Sequence, residues 1–197
     1  MSRNIPSLIQ QNFASHQDLV RQTLEQLSSR IARAGQILVD CYAQGRKAIF
    51  LGNGGSAADA QHLAAEFLGR FLRERRPLPA LALHANSSAL TAIGNDYGYE
   101  QTFVRPLQAL AVPGDVIVGI STSGNSRNVI AALAWARQLP CPTLALTGQG
   151  GGELARVADV LLDVPSRETP RIQEVHILLG HCLCEMVEMH LDSSDSA

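Results

Sequence analysis

Two stretches rich in hydroxyls and glycines are the first chemistry the sequence offers. In STSGNS (121–126), Ser121, Thr122, Ser123 and Ser126 surround a Gly-Asn turn, after an apolar run and at the start of a helical pattern. Hydroxyls and unpaired backbone N–H groups there can enclose a phosphate, and the helix N-terminus adds partial positive charge. Gly124 lets the backbone approach closely. An ordinary helix cap made by Ser and Asn is the other reading of the same residues. GNGGS (52–56) repeats the strand–turn–helix context. Asn53, Gly54 and Gly55 can present N–H groups and Ser56 can cap the following helix, although a purely structural turn fits as well. TGQGGGE (147–153) reads as a loop and helix start. STSGNS has no Walker lysine and GNGGSA lacks the G-x-G-x-x-G order, so neither a nucleoside triphosphate nor a dinucleotide is favoured.

Groups able to hold a metal or move a proton fall on two helical segments. After GNGGS come Asp59, His62 and Glu66; the last two are four apart and share a helix face. They suit a metal site, proton exchange or a plain surface ion pair. The final segment carries Arg171, Gln173, Glu174, His176 and His181. Gln173 and His181 are eight apart, about 80° around a helix, so both can reach one cleft. His181, set in ILLGHCLC, fits a core position equally well. Together, His62, Glu66 and His181 would form a nitrogen–oxygen set suited to Zn²⁺, with the Gln173 side-chain oxygen completing it. Spacing leaves open whether they meet. Asn95 and Asp96 close a helix candidate in GNDY; they suit a turn, or the hydroxyls of a sugar.

The elements that must position these groups alternate along the chain. Residues 4–44 read as a helical segment in two pieces, with Leu19, Val20, Leu24, Leu27, Ile31, Ala34, Leu38 and Cys41 at helical spacing. Strands are expected at Lys47–Leu51, Ala80–Leu83, Val116–Ile120, Thr143–Leu146 and Val160–Val164. Helices are expected at 56–71, 88–110, 126–138 and 151–157, and from Pro170 to Leu191. The polar tail LDSSDSA reads as frayed. Apolar strands alternating with helices imply an α/β fold with a parallel sheet covered on both faces, whose ligands sit beyond the carboxyl ends of the strands. Division into a helical extension (1–45), an α/β domain (46–191) and a disordered tail (192–197) follows.

With 197 residues and a net charge of −2, a single core is expected, without general attraction to nucleic acid or anionic lipid. No apolar run reaches the roughly 20 residues needed to span a bilayer. The N-terminus lacks the apolar core of a signal peptide, so the cytoplasm is the expected compartment. Cys41, Cys141, Cys182 and Cys184 form no C-x-x-C pair and read as reduced, mostly buried thiols.

Several ordered blocks carry a wider resemblance: GNGGSAADAQHLAAEF, AIGNDYG, GDVIVGISTSGNSRNVI, ALTGQGGGELA and RIQEVHILLGHCL. Over nearly its whole length the sequence resembles the phosphoheptose isomerase family of the sugar-isomerase (SIS) domain superfamily. The resemblance implies a five-stranded parallel sheet flanked by helices, a flavodoxin-like three-layer sandwich. It also implies a homotetramer with active sites at subunit interfaces and one Zn²⁺ per subunit. The implied reaction interconverts D-sedoheptulose 7-phosphate and D-glycero-D-manno-heptose 7-phosphate, the first step toward ADP-heptose and lipopolysaccharide. By resemblance, zinc falls to His62, Glu66, Gln173 and His181, and base and acid to Glu66 and His181. Phosphate falls to Ser121, Thr122, Ser123 and Ser126. Further substrate contacts fall to Asn53, Gly54, Gly55, Ser56, Glu66, Asn95, Asp96 and Gln173. Pro170 stands where some members have an acidic residue before the Arg, so no contact is carried over there. PSRETPRIQEVHILLGHCLCEMVE also looks much like a non-enzymatic relative that binds the replication initiator DnaA. That relative lacks the catalytic types at the positions of Glu66 and His181, which favours the enzyme here. A sugar-phosphate sensor without turnover is the third reading.

Overall fold

The structure, a computed structural model, describes residues 4–194. Helix α1 (Ile5–Ala43) leads into strand β1 (Ala48–Gly52), followed by α2 (Gly55–Leu68) and β2 (Ala80–Ala82). Then come α3 (Ser87–Tyr97), α4 (Val104–Leu110), β3 (Val116–Ser121), α5 (Arg127–Ala136), β4 (Thr143–Thr147), β5 (Val160–Asp163) and α6 (Thr169–Ser194). The sheet is entirely parallel, in the order β2-β1-β3-β4-β5. In register, Ala48 faces Ala80 on one side and Val116 on the other, and Ile117 faces Thr143.

Parallel strands need crossover helices, and helices on both faces make both faces apolar. Phe50, Val118, Ile120, Leu144 and Leu162 pack on the face covered by α1, α2 and α6. Ile49, Leu51, Ile117 and Ala145 pack on the opposite face, against Phe103 and Leu107 near α4 and Val129 and Leu133 of α5. The result is three layers.

The structure corrects several expected boundaries. Helix α1 is one continuous element of 39 residues, about 58 Å long, and not two pieces. No proline follows Pro6 within it, and Gly35 is held against Met186 of α6. Leu19, Leu27, Leu38 and Tyr42 of α1 are buried, whereas Ile5, Leu8, Ile9 and Phe13 in its first turns are exposed. The helix expected at 88–110 is broken: α3 ends at Gly98, whose φ of 85° leaves the helical region, and a 3-10 turn (Tyr99–Gln101) precedes α4. The 151–157 helix is a 3-10 segment, Gly152–Arg156. Helix α6 starts at Thr169, with Pro170 in its first turn, and continues to Ser194, into the stretch read as frayed; residues 195–197 lie outside the described residues. Among the described residues no helix is long and apolar enough to cross a membrane.

Candidate active site

Strand order brings the two glycine-rich loops together. Beyond β1 the chain turns back over α2 toward β2, whereas beyond β3 it runs the other way to β4, so the crevice at the carboxyl ends of adjacent β1 and β3 is a switch point. GNGGS leaves β1 there and STSGNS leaves β3. Ser121 is 4% exposed; its Oγ lies 2.8 Å from Ser126 Oγ and 3.5 Å from Ser123 Oγ. Ser126 occupies the N-cap of α5, but its hydroxyl makes no cap hydrogen bond. Three hydroxyls thus gather beside the start of a ten-residue helix, an arrangement suited to an anion.

A second loop holds this cradle in shape. TGQGGGE, expected as a loop and helix start, packs with the following Leu154 on STSGNS: Gly148 N–H donates to Thr122 O at 2.9 Å, Leu154 N–H to Gly124 O at 3.0 Å and Glu153 N–H to Asn125 Oδ1 at 3.1 Å. Gly124 has φ +67°, and a Cβ there would strike the carbonyl of Gly151. The glycines are needed because backbone meets backbone.

The titratable cluster forms where α2 crosses α6. A Cβ at Gly180 would collide with the Leu63 side chain, so the helices touch closely at the neighbouring positions, His62 and His181. His62 Nε2 lies 3.0 Å from His181 Nε2 and 3.3 Å from Glu66 Oε1. All three side chains can bring one ligand atom to within 4.8 Å of one another. The His62 side chain is 47% exposed and that of Glu66 21%. Phe71 covers His181, with ring centroids 5.1 Å apart. One turn before His62, Asp59 buries Oδ2 without a partner; burial pushes its carboxyl up, and the neighbouring His62 pulls it down.

Residues 11–148 match the family described as SIS domain. A phosphoheptose isomerase of Nitratidesulfovibrio vulgaris is 51% identical over 191 residues, covering 97% of this chain and 92% of that protein. The chain belongs to the phosphoheptose isomerase family. A family member from Geobacter sulfurreducens is 55% identical over 175 residues, covering 87% of this chain and 93% of that protein. Among solved structures, the phosphoheptose isomerase of Neisseria gonorrhoeae has a TM-score of 0.89 at 42% identity, covering 94% of this chain and 100% of that one.

Within this family framework the expected residues divide. His62, Glu66 and His181 meet. Donor atoms on a tetrahedron with bonds of 2.0–2.1 Å are about 3.3 Å apart. The 3.0 and 3.3 Å separations and the two-imidazole, one-carboxylate chemistry therefore fit Zn²⁺. Gln173 packs its amide against Gly55, at the start of α2. Ser56 does not cap α2: Gly54 is the N-cap, and Ser56 is buried in the first turn beneath Gly52. Asn95 Nδ2 donates to Asp96 Oδ1 at 2.8 Å in the last turn of α3, and Asp96 lines a groove with Tyr97 and Arg105.

Asn53 is bound into a network that sequence reasoning missed. Its Nδ2 donates to Asn128 Oδ1 at 2.8 Å, and its Oδ1 accepts from Asn128 Nδ2 at 3.0 Å and from Tyr99 O–H at 2.8 Å. Asn128, 2% exposed, also donates to Thr102 Oγ1 and accepts from Val129 N–H. The available signal was its place on the buried stripe of α5, four residues before Ala132.

Proposed function

We propose that the protein is an aldose–ketose isomerase that interconverts D-sedoheptulose 7-phosphate and D-glycero-D-manno-heptose 7-phosphate. The meeting of His181 with His62 and Glu66, across 115 residues or more of chain, carries this reading. It is supported by the full-length likeness to phosphoheptose isomerases. Initiator binding is not favoured: the relatives named above are all isomerases, and the acid–base pair is present.

The chemistry moves one proton between adjacent carbons. In the ketose-to-aldose direction Glu66 removes a proton from C1 while His181 donates a proton to the C2 carbonyl oxygen, giving a 1,2-enediol. Glu66 then returns a proton to C2, and His181 accepts the O1 proton as the C1 aldehyde forms. The STSGNS cradle grips the phosphate far from the reacting carbons, and that binding energy holds the open-chain sugar in place. His62, Glu66 and His181, with Gln173 as a fourth donor, would hold a Zn²⁺ ion. Bound there, the ion supplies positive charge for the oxygens of the enediol.

Within one chain the histidines are partly open to solvent, and the first turns of α1 expose Ile5, Leu8, Ile9 and Phe13. Both features support a homotetramer whose subunits close each other's sites. The four unpaired cysteines support a reducing, cytoplasmic setting, and the product would feed ADP-heptose synthesis. The direct test is incubation of the protein with sedoheptulose 7-phosphate in deuterated water. Aldose product and deuterium at C1 of recovered ketose are expected. Absence of both, with the wild-type protein folded and zinc-loaded, sinks the assignment.

A further inference from the structure

The proposed base and acid sit on separate helices, and no strand pairing fixes their separation. The loop after α2 makes a second connection. Glu188 of α6, with a side chain 1% exposed, accepts at Oε1 from the N–H of Phe71 (2.8 Å) and from Arg75 Nε (3.0 Å). Its Oε2 accepts from the N–H groups of Leu72 (2.9 Å) and Arg73 (3.0 Å). Arg75, 2% exposed, carries the grip back to α2. Its Nη2 donates to Glu66 O at 2.7 Å, and its Nη1 to Phe67 O and Gly69 O at 3.0 and 3.1 Å. Glu66 O and Phe67 O belong to the last turn of α2, where carbonyls lack intrahelical partners, and Phe67 O also accepts from Leu78 N–H at 3.0 Å.

The clasp touches both halves of the acid–base pair. Arg75 is bonded to the backbone of Glu66. Phe71, held by Glu188 through its N–H, lays its ring on His181. Glu188 follows His181 by seven residues, two turns or about 10 Å along α6 on nearly the same face. Burial pushes the Glu188 carboxyl up, but three backbone N–H groups and the guanidinium outweigh it and hold it below its usual value. A buried ion pair is an inefficient source of stability compared with apolar packing, but its directional bonds define a single geometry.

We propose that Arg75 and Glu188 are positioning residues for the isomerisation: they fasten the 69–76 loop to α6 and so set Glu66 against His181. The inference rests on the isomerase reading. Its test uses full-length Glu188→Gln and Arg75→Lys, each checked for folding by circular dichroism and thermal melting. Gln keeps the shape but turns an N–H₂ toward a donor. Lys keeps the charge but cannot span Glu188 and the Glu66 carbonyl together. Expected is a fall in kcat of about tenfold or more, because small misplacements of reacting groups are costly. KM and the affinity for inorganic phosphate should stay within about twofold, because STSGNS has no hydrogen bond to the clasp. Whichever variant folds decides. A kcat within twofold of wild type, or a loss confined to KM, overturns the proposal. If wild type itself does not turn over the sugar, the isomerase reading fails, and a crystal structure of Glu188→Gln judges the clasp. An opened His62–His181 pair supports it; an unchanged pair overturns it.

Discussion

Replacing Asn128 by Ala tests whether the two glycine-rich loops are held by one buried amide. The side chain makes four hydrogen bonds: two with Asn53, one with Thr102 Oγ1 and one with Val129 N–H. In the variant, Asn53 is only half-buried, and water replaces its lost partners. Thr102 still donates to Tyr99 O at 2.7 Å, but the N–H of Val129 loses its acceptor in a buried setting. At about 1 kcal/mol for each exchanged bond, and up to about 2 for a stranded group, the loss comes to about 2–4 kcal/mol. In a domain of this size that lowers the melting temperature by roughly 5–15 °C. Function should change as well, because Asn128 is two residues past Ser126 and its release loosens both GNGGS and the phosphate cradle. A several-fold rise in KM for the sugar phosphate is expected, with a smaller change in kcat. Differential scanning fluorimetry and steady-state kinetics suffice. A variant melting within about 2 °C of wild type with unchanged KM would refute the reasoning, since the amide network would then hold neither loop.

Gly124→Ala should raise KM by about tenfold or more, measured by initial rates, because its φ of +67° and the Gly151 carbonyl leave no room for a Cβ without moving STSGNS. His176 is fully buried, with Nε2 3.0 Å from Thr147 O, and burial pulls its pKa from 6.5 down to about 4. The unfolded chain therefore takes up the proton at a higher pH than the folded one does. This contribution to stability is full above about pH 6.5 and is lost as pH falls toward 4, by about 1.4 kcal/mol per pH unit. Urea unfolding at several pH values should show that slope, and a folded His176→Gln variant should lack it. Zinc titration of metal-stripped protein should reach one ion per chain, and His181→Ala should weaken binding about 100-fold. Equal affinity in that variant would exclude His181 as a ligand.

The α/β class was legible in the sequence because strands buried on both faces must be apolar throughout, as Ala48–Gly52 and Val116–Ser121 are. The loops could be located for a similar reason: Gly and hydroxyl residues cluster where a chain leaves a strand and starts a helix. These are local constraints, set by neighbours a few residues away. Other features depended on partners far along the chain. A break at Gly98 and continuity through Gly35 look alike as single glycines in helical patterns, and only a positive φ in one case and Met186 in the other separate them. His62 and His181 each allowed a bland reading until the α2–α6 crossing brought their nitrogens to 3.0 Å. Asn128 and Glu188 resembled ordinary helix polar residues, and their work became visible only with the buried donors and acceptors they satisfy. Local spacing specifies which face of an element is apolar; it carries no term for which distant element will pack there, and that packing made the site.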